Sequence, residues 1–221
     1  MFTRLSLPPR YIPGKFENNK DSIINLVKKL NDTLQKEKIK ISILPSQTIR
    51  IDGKMIEQLT QSKLIGYGTD PTYIFIEIMY DHIPQYTQQL CYDLQLIGFK
   101  PVLVHPEKNN VIQEEPNTLY SLVKNGALVQ ISAKSICGKK GRKIQKCAQQ
   151  LLKHNLVHFV GSDTAETKRY FLQPAWKILK RNLPIEQFYL LQENMNLLEE
   201  AKTVQGEEPQ RIKKKKILGI I

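Results

Sequence analysis

The sequence predicts an α/β domain with a parallel β-sheet, and three of its features point to that fold class. Short runs rich in Ile, Val and aromatic residues alternate with longer segments in which apolar residues recur at helical spacing. Strict alternation of strands and helices is typical of parallel sheets with right-handed crossovers. The chain has 221 residues, 41% of them hydrophobic, so it can bury one substantial core. We expect the sheet to close as a barrel.

The predicted strands are short and apolar, and the helices between them are amphipathic. In the first helix, Ile23, Val27 and Leu30 recur at helical spacing, while Lys28 and Asp32 face solvent. Proline or glycine lies near many of the helix ends. In chain order we predict a helix at Asp21–Lys38, a strand at Ile39–Leu44, a helix at Lys54–Ser62, a strand at Tyr73–Ile78, a helix at Pro84–Gly98, a strand at Pro101–His105, a helix at Pro116–Gly126, a strand at Ala127–Ser132, a helix at Lys139–Asn155, a strand at Val157–Gly161 and a helix at Gln173–Lys202.

The charge balance favours anionic partners. Lys and Arg number 33 against 21 Asp and Glu, which gives a formal charge of +12. A basic protein of this kind attracts phosphate esters, nucleic acid or an anionic membrane surface. Five of the positive charges lie in Arg211–Lys216, so residues 1–210 carry 12 − 5 = +7.

The cysteines and the apolar runs predict a cytoplasmic protein. The three cysteines form no CxxC pair, which argues against a disulfide framework or a zinc knuckle. No stretch approaches the roughly eighteen apolar residues that a membrane span needs. Met1–Arg10 contains prolines where a secretory signal needs an apolar run.

The chain divides into one domain, residues 1–205, and a C-terminal tail, residues 206–221. The tail combines a run of four lysines with Ile217, Leu218, Ile220 and Ile221. We expect Arg211–Ile221 to be poorly ordered and to contact a partner or an anionic membrane surface weakly.

Polar side chains at the ends of separate predicted strands indicate a functional site. Glu77 ends one strand, His105 and Glu107 follow the next, and Ser162 and Asp163 follow the last. The carboxyl ends of parallel strands form the functional face of α/β folds. Carboxylate and imidazole ligands suit Mn, Fe or Zn, and paired metals of that type serve phosphate hydrolysis. The same side chains also serve as helix caps or accept hydrogen bonds from loop amides, so both interpretations stay open.

Several segments resemble the bacterial capsular and exopolysaccharide protein-tyrosine phosphatases, which belong to the polymerase and histidinol phosphatase (PHP) superfamily. The resemblance runs from about Ser6 to the C-terminus. It implies a distorted β/α barrel with a manganese-type cluster that dephosphorylates a tyrosine autokinase of polysaccharide synthesis. The segments that carry it are Ile43–Arg50, Val104–Glu107, Gly126–Gln130, His154–Asp163 and Glu208–Lys213.

The resemblance assigns roles to five residues. Glu77, His105 and Asp163 match metal ligands of the family. Lys108 stands where the family has a phosphate-binding arginine after the His-Pro-Glu segment, and Arg169 lies near its second phosphate-binding arginine. Lysine keeps the charge of arginine but lacks its bidentate fork.

The chain departs from the family pattern at further ligand positions. The family opens with an Asp-x-His-x-His strand, which we do not find before Arg4, so we expect the first strand and helix of the barrel to be missing. Pro9, Thr48 and Ala165 replace two histidines and a glutamate. Because each lost ligand leaves an open coordination position, we expect manganese to be weakly bound or absent and catalysis to be impaired.

Two other function classes remain as alternatives. One is a pseudophosphatase that binds a tyrosine kinase or its phosphotyrosine tail without hydrolysis. The other is a nucleic-acid-binding protein, because Lys134–Lys146 carries six positive charges and no acid. That run lacks the interleaved aromatic residues that stack on bases, so no nucleic-acid partner is expected.

Overall fold

The structure is a computed structural model, which describes residues 4–68, 71–163 and 170–213. The described residues form a mixed α/β fold whose main sheet is mostly parallel. The strands are β1 Arg4–Ser6, β2 Arg10–Ile12, β3 Phe16–Glu17, β4 Ser42–Leu44, β5 Thr48–Arg50, β6 Tyr73–Glu77, β7 Lys100–Val104, β8 Leu128–Ser132 and β9 Phe159–Gly161. The helices are α1 Lys20–Lys36, α2 Met55–Thr60, α3 Thr87–Leu96, α4 Asn110–Glu114, α5 Asn117–Lys124, α6 Ala133–Ile136, α7 Arg142–Lys153, α8 Leu172–Asn182 and α9 Ile185–Glu199, with a 3₁₀ turn at Pro106–Lys108.

Seven strands form the main sheet in the order β3-β2-β5-β6-β7-β8-β9, while β1 and β4 make a separate parallel pair. Only the short β3 runs antiparallel to its neighbour in this sheet. Within the described residues the sheet is open, with β3 and β9 at its edges, so the predicted closed barrel is not confirmed. None of the helices in this part of the chain is long and apolar enough to cross a membrane.

Prolines separate neighbouring elements at two places. The predicted strand Ile39–Leu44 is the shorter β4, and a strand that was not predicted, β5, follows Pro45, which lacks a backbone N–H. The predicted helix Gln173–Lys202 is two helices, since Pro184 ends one and precedes the other. A proline inside a helix removes a backbone hydrogen bond and clashes with the preceding turn. The later strands lie within or close to their predicted ranges.

The central strand β6 shows how the core is built on both faces of the sheet. All five of its residues are buried. Ile74 and Ile76 pack into the larger apolar cluster with α2, α3, α5 and α7, whereas Tyr73 and Phe75 pack into a second cluster with Phe159 of β9. Side chains of a strand alternate between faces, so β6 anchors both halves of the core.

Residues 202–213, here called the C-terminal segment, begin at the amino ends of β6 and β7. Tyr73, the first residue of β6, donates its hydroxyl to the carbonyl of Lys202 and accepts from the amide of Val204 at 3.1 Å. The tail from Arg211 is expected to be poorly ordered, but Ile212 is buried and the Arg211 guanidinium lies 4.8 Å from the ring centre of Tyr120. Residues 214–221 lie outside the described residues, and their contact with a membrane stays a prediction.

Candidate active site at the carboxyl edge of the sheet

The three residues proposed as metal ligands follow neighbouring strands at one edge of the sheet. Glu77 is the last residue of β6 and pairs with Val104, which directly precedes His105. Asp163 follows β9 by two residues, and the last residue of β9 pairs with Ser132 of β8. In a parallel sheet all of these strand ends point the same way. The three residues therefore follow strand ends at the same edge of the sheet, and their role as metal ligands stays a prediction.

His105 and Asp163 are in direct contact. The His105 Nε2 lies 3.4 Å from the Asp163 Oδ1, and both side chains are largely buried. Both residues have a left-handed backbone, with φ of 55° and 52°. Such φ values are uncommon for residues other than glycine and occur preferentially at functional sites. The strand ends therefore turn sharply to bring the two side chains together.

The His105 ring is neutral at ordinary pH. Burial, reinforced by the positive charge of Lys108, lowers the pKa of His105 to about 3, although Asp163 opposes the shift. Arg10 and Lys140 lower the pKa further, which places their charges near the same ring. The buried Nδ1 of His105 has no hydrogen-bond partner among the described residues. An unpartnered buried nitrogen is costly, and such atoms are rare in purely structural positions.

Asp163 is held by a lysine and a serine. The Lys108 Nζ donates to Asp163 Oδ2 at 2.6 Å, and the Ser132 hydroxyl donates to the same oxygen at 2.9 Å. Burial alone would raise the pKa of Asp163, but the neighbouring His105, the charge of Lys108 and these hydrogen bonds hold it below its ordinary value. The ammonium group of Lys108 therefore contacts a proposed metal ligand, and the phosphate-binding role expected for it stays a prediction.

Glu77 is held by two arginines that were not among the predicted site residues. The Arg10 Nη2 lies 2.8 Å from one carboxylate oxygen. Arg50 donates through Nε and Nη2 to the other oxygen, at 3.1 and 3.0 Å. Arg50 is the direct neighbour of Glu77 across the β5–β6 pair, and Arg10 comes from β2, the next strand along. Their signal was missed because both strands are short and polar.

The buried Glu107 lies at the same edge and binds residues at and just after the end of β8. Its carboxylate accepts from the Ser132 amide at 3.0 Å and from the Ser135 hydroxyl at 2.7 Å. Burial raises the pKa of Glu107 to about 7 despite these hydrogen bonds. The side chain thereby ties the 3₁₀ turn after β7 to the start of α6.

The remaining predicted positions contribute less to the described site. Thr48 pairs with Phe75, two residues before Glu77 along β6. Pro9 directly precedes Arg10, and its carbonyl accepts from the Thr48 amide at 3.0 Å. Arg169 and Ala165 lie outside the described residues.

The residues at this edge do not fit the metal cluster that the family resemblance implies. Both oxygens of Glu77 contact guanidinium groups, and both oxygens of Asp163 contact other side chains. A divalent ion 4 Å from one such cation is repelled by on the order of 8 kcal/mol at an effective dielectric constant of about 20. Among the described residues, no group of three or more His, Cys, Asp and Glu side chains is arranged to hold a metal ion.

Comparisons with known proteins agree with the resemblance. An α/β protein with polar residues gathered at the carboxyl ends of parallel strands belongs to a class that includes many enzymes. Residues 2–189 match the family model for capsular polysaccharide synthesis, CpsB/CapC. The chain belongs to this CpsB/CapC family.

The relatives are similar over most of this chain. The tyrosine-protein phosphatase YwqE of Bacillus subtilis is 38% identical over 213 residues, which cover 96% of this chain and 84% of YwqE. CapC of Staphylococcus aureus is 31% identical over 171 residues, or 77% of this chain and 67% of CapC. This chain also matches a crystal structure from work on YwqE and on CpsB of Streptococcus pneumoniae, which are described as metal-dependent tyrosine phosphatases. The TM-score is 0.90 at 36% sequence identity, and the match covers 96% of this chain and 86% of that one.

Proposed function

We propose that this protein takes part in the control of capsular polysaccharide synthesis by recognising phosphotyrosine proteins, with a phosphatase activity far below that of its metal-dependent relatives. Membership of the CpsB/CapC family supports the process and the substrate class. We further propose a cytoplasmic location, with a polysaccharide-synthesis tyrosine autokinase as the partner. Manganese is the metal that the resemblance implies for the family, and a hydrolytic metal site supplies an activated water and neutralises phosphate charge.

The ion pairs of Glu77 carry this proposal. Arg10 and Arg50 bind both of its oxygens, so the carboxylate that matches a family metal ligand is already neutralised by protein cations. Lys108 does the same for Asp163. Two of the three proposed ligands thus face positive groups, which favour an anion over a metal ion at this edge.

A non-catalytic binding module is the second candidate, and the ion pair between Lys108 and Asp163 favours it. The Lys108 ammonium is fixed on Asp163 at 2.6 Å, so neither group is free to act on a leaving group. The two candidates differ only in whether slow hydrolysis remains.

The test is hydrolysis of a phosphotyrosine peptide with added manganese, measured beside YwqE under identical conditions. We expect turnover at least about 1000-fold slower than that of YwqE, equivalent to about 4 kcal/mol of barrier. The same peptide on beads should retain this protein, and its unphosphorylated form should not. Fast turnover that chelation removes and His105→Ala abolishes would show that the site works as a metal enzyme.

A further inference from the structure

The carboxyl edge of the sheet carries more positive than negative charge. Arg10, Arg50 and Lys108 are its cations, and Glu77 and Asp163 are its two carboxylates in ion pairs. Within these ion pairs the cations outnumber the carboxylates by one. The nearby Glu107 carboxylate is bound by Ser132 and Ser135 instead of by a cation.

Lys140 adds to this excess from the rim of the site. Its charge acts on the ring of His105, and its own side chain is exposed. It lies just before α7, on the connection that leaves the carboxyl end of β8. The edge therefore presents a net positive field to a ligand that approaches from solvent.

Arg10 has the most exposed side chain of the three cations that bind Glu77 and Asp163. Its side chain is 47% exposed, against 21% for Arg50 and 8% for Lys108. One Nη of Arg10 contacts Glu77, and a guanidinium has five N–H donors in a planar fork. This geometry matches two oxygens of a phosphate group, which makes arginine the preferred side chain for phosphate recognition.

An aromatic side chain accompanies this arginine. Tyr80 is 48% exposed, and it lies close enough to Arg10 to help raise the pKa of that guanidinium. An exposed ring beside a phosphate-binding cation offers a stacking surface for an aryl phosphate, which an alkyl phosphate cannot use as well.

We propose that this edge binds the phosphate monoester of a phosphotyrosine directly through Arg10, with Lys140 at its rim and without a bound metal ion. The proposal rests on the proposed function and adds the means by which the phosphate is held. A phosphate monoester carries a charge of about −1.5 to −2 at pH 7. It complements the surplus of protein cations, whereas a divalent metal ion would have to displace them from Glu77 and Asp163.

The experiment is calorimetric titration of the full chain with a phosphotyrosine peptide, once in EDTA and once in manganese. We expect the same dissociation constant within about twofold in both, because protein cations hold the phosphate. A phosphoserine peptide of the same sequence should bind several-fold more weakly, and an unphosphorylated peptide should not bind.

Two pairs of variants locate the site. Arg10→Gln should weaken binding about tenfold or more, and Lys140→Gln about threefold. Arg181→Gln and Lys153→Gln are the matched controls, because each removes one positive charge from an exposed side chain. Arg181 lies in the last turn of α8 and Lys153 is the last residue of α7, and both helices run from the carboxyl edge toward the amino edge. Both controls should bind like the wild type. Lys140 is exposed, so its variant keeps the test valid even if Arg10→Gln lowers the melting temperature.

The outcomes separate this inference from the proposed function. Binding that needs manganese and disappears in EDTA overturns direct recognition but leaves phosphotyrosine recognition standing. Binding in EDTA that Arg10→Gln and Lys140→Gln leave unchanged overturns the assignment of this edge. The absence of binding under both conditions overturns the proposed function itself.

Discussion

The two edges of the main sheet hold their polar groups in different ways. At the carboxyl edge the contacts join charged side chains, with Arg10 on Glu77 and Lys108 on Asp163. A buried nitrogen of His105 is left without a partner among the described residues. These features concentrate charge and unmet hydrogen-bonding capacity in one place.

At the amino edge, neutral side chains hold the C-terminal segment by its backbone. Asn194 exchanges two hydrogen bonds with Gln205, at 2.7 and 3.1 Å. Farther along the segment, Asn117 at the start of α5 does the same with Ile212, at 3.0 and 2.9 Å. In paired amide contacts of this kind the side-chain amide and the backbone satisfy each other's donor and acceptor, so neither is left to bind a ligand.

One buried histidine lies at each edge, and the two differ in the charges around them. His158 accepts from the Val129 amide through Nδ1 at 3.1 Å, and burial alone lowers its pKa to about 4. His105 has a similar shift, but Lys108 and Asp163 act on it as well. A lowered histidine pKa thus marks burial at both edges, and only the surrounding charges identify the candidate site.

The largest effect on stability is expected from Glu77→Gln. The variant leaves Arg10 and Arg50 facing a neutral amide, and breaking a buried ion pair costs about 3 kcal/mol or more. We expect a loss of about 3 kcal/mol in the free energy of unfolding, measured in urea. Glu114→Gln is the control, because Glu114 makes an exposed pair with Lys143 at 3.6 Å. That control should lose no more than about 0.5 kcal/mol, and equal losses in the two variants would contradict the buried network.

The next effect concerns the amino edge and depends on pH. The neutral form of His158 is favoured in the fold, so its contribution is complete above the unfolded pKa of about 6.5. This contribution to stability decreases as the pH falls below 6.5, and the decrease levels off below the folded pKa of about 4. The loss reaches about 3 kcal/mol at most.

His158→Asn tests this directly, because the amide oxygen of asparagine can take the place of Nδ1 as acceptor. We expect a smaller decrease in unfolding free energy between pH 7 and pH 4 than in the wild type, measured by urea titration at each pH. His105 shifts in the same direction in both proteins, so the difference between them isolates His158. Identical pH dependence would show that His158 is not buried in neutral form.

The sequence located the strand ends well because long apolar runs mark strands such as β6 and β7. Glu77, His105 and Asp163 could be placed at one edge from their position after those runs alone. Their partners could not be found, since Arg10 and Arg50 belong to three-residue strands with little apolar signal. Short strands form through their neighbours in the sheet, and that information is absent from local sequence patterns.

The closed barrel was expected from strand and helix alternation, which open parallel sheets share. Periodicity does not report whether the two edge strands meet, so β3 and β9 could not be identified as open edges from the sequence. The attachment of the C-terminal segment was missed for a different reason. Its composition is charged, and its order depends on side chains such as Asn117, about a hundred residues earlier in the chain.

The smallest effect is expected from Asn117→Ala, which removes both hydrogen bonds to Ile212. Two neutral hydrogen bonds contribute about 1 to 2 kcal/mol together. Because they hold only the end of the segment, we expect local opening to increase more than global unfolding. Amide hydrogen exchange at Ile212 should accelerate about tenfold, while exchange in β6 stays unchanged. Asn110→Ala is the matched control, since Asn110 is the exposed first residue of α4 just as Asn117 is the first residue of α5. Unchanged exchange at Ile212 in Asn117→Ala would mean that burial of the isoleucine side chain, and not the asparagine, fastens the end of the segment to the rest of the fold.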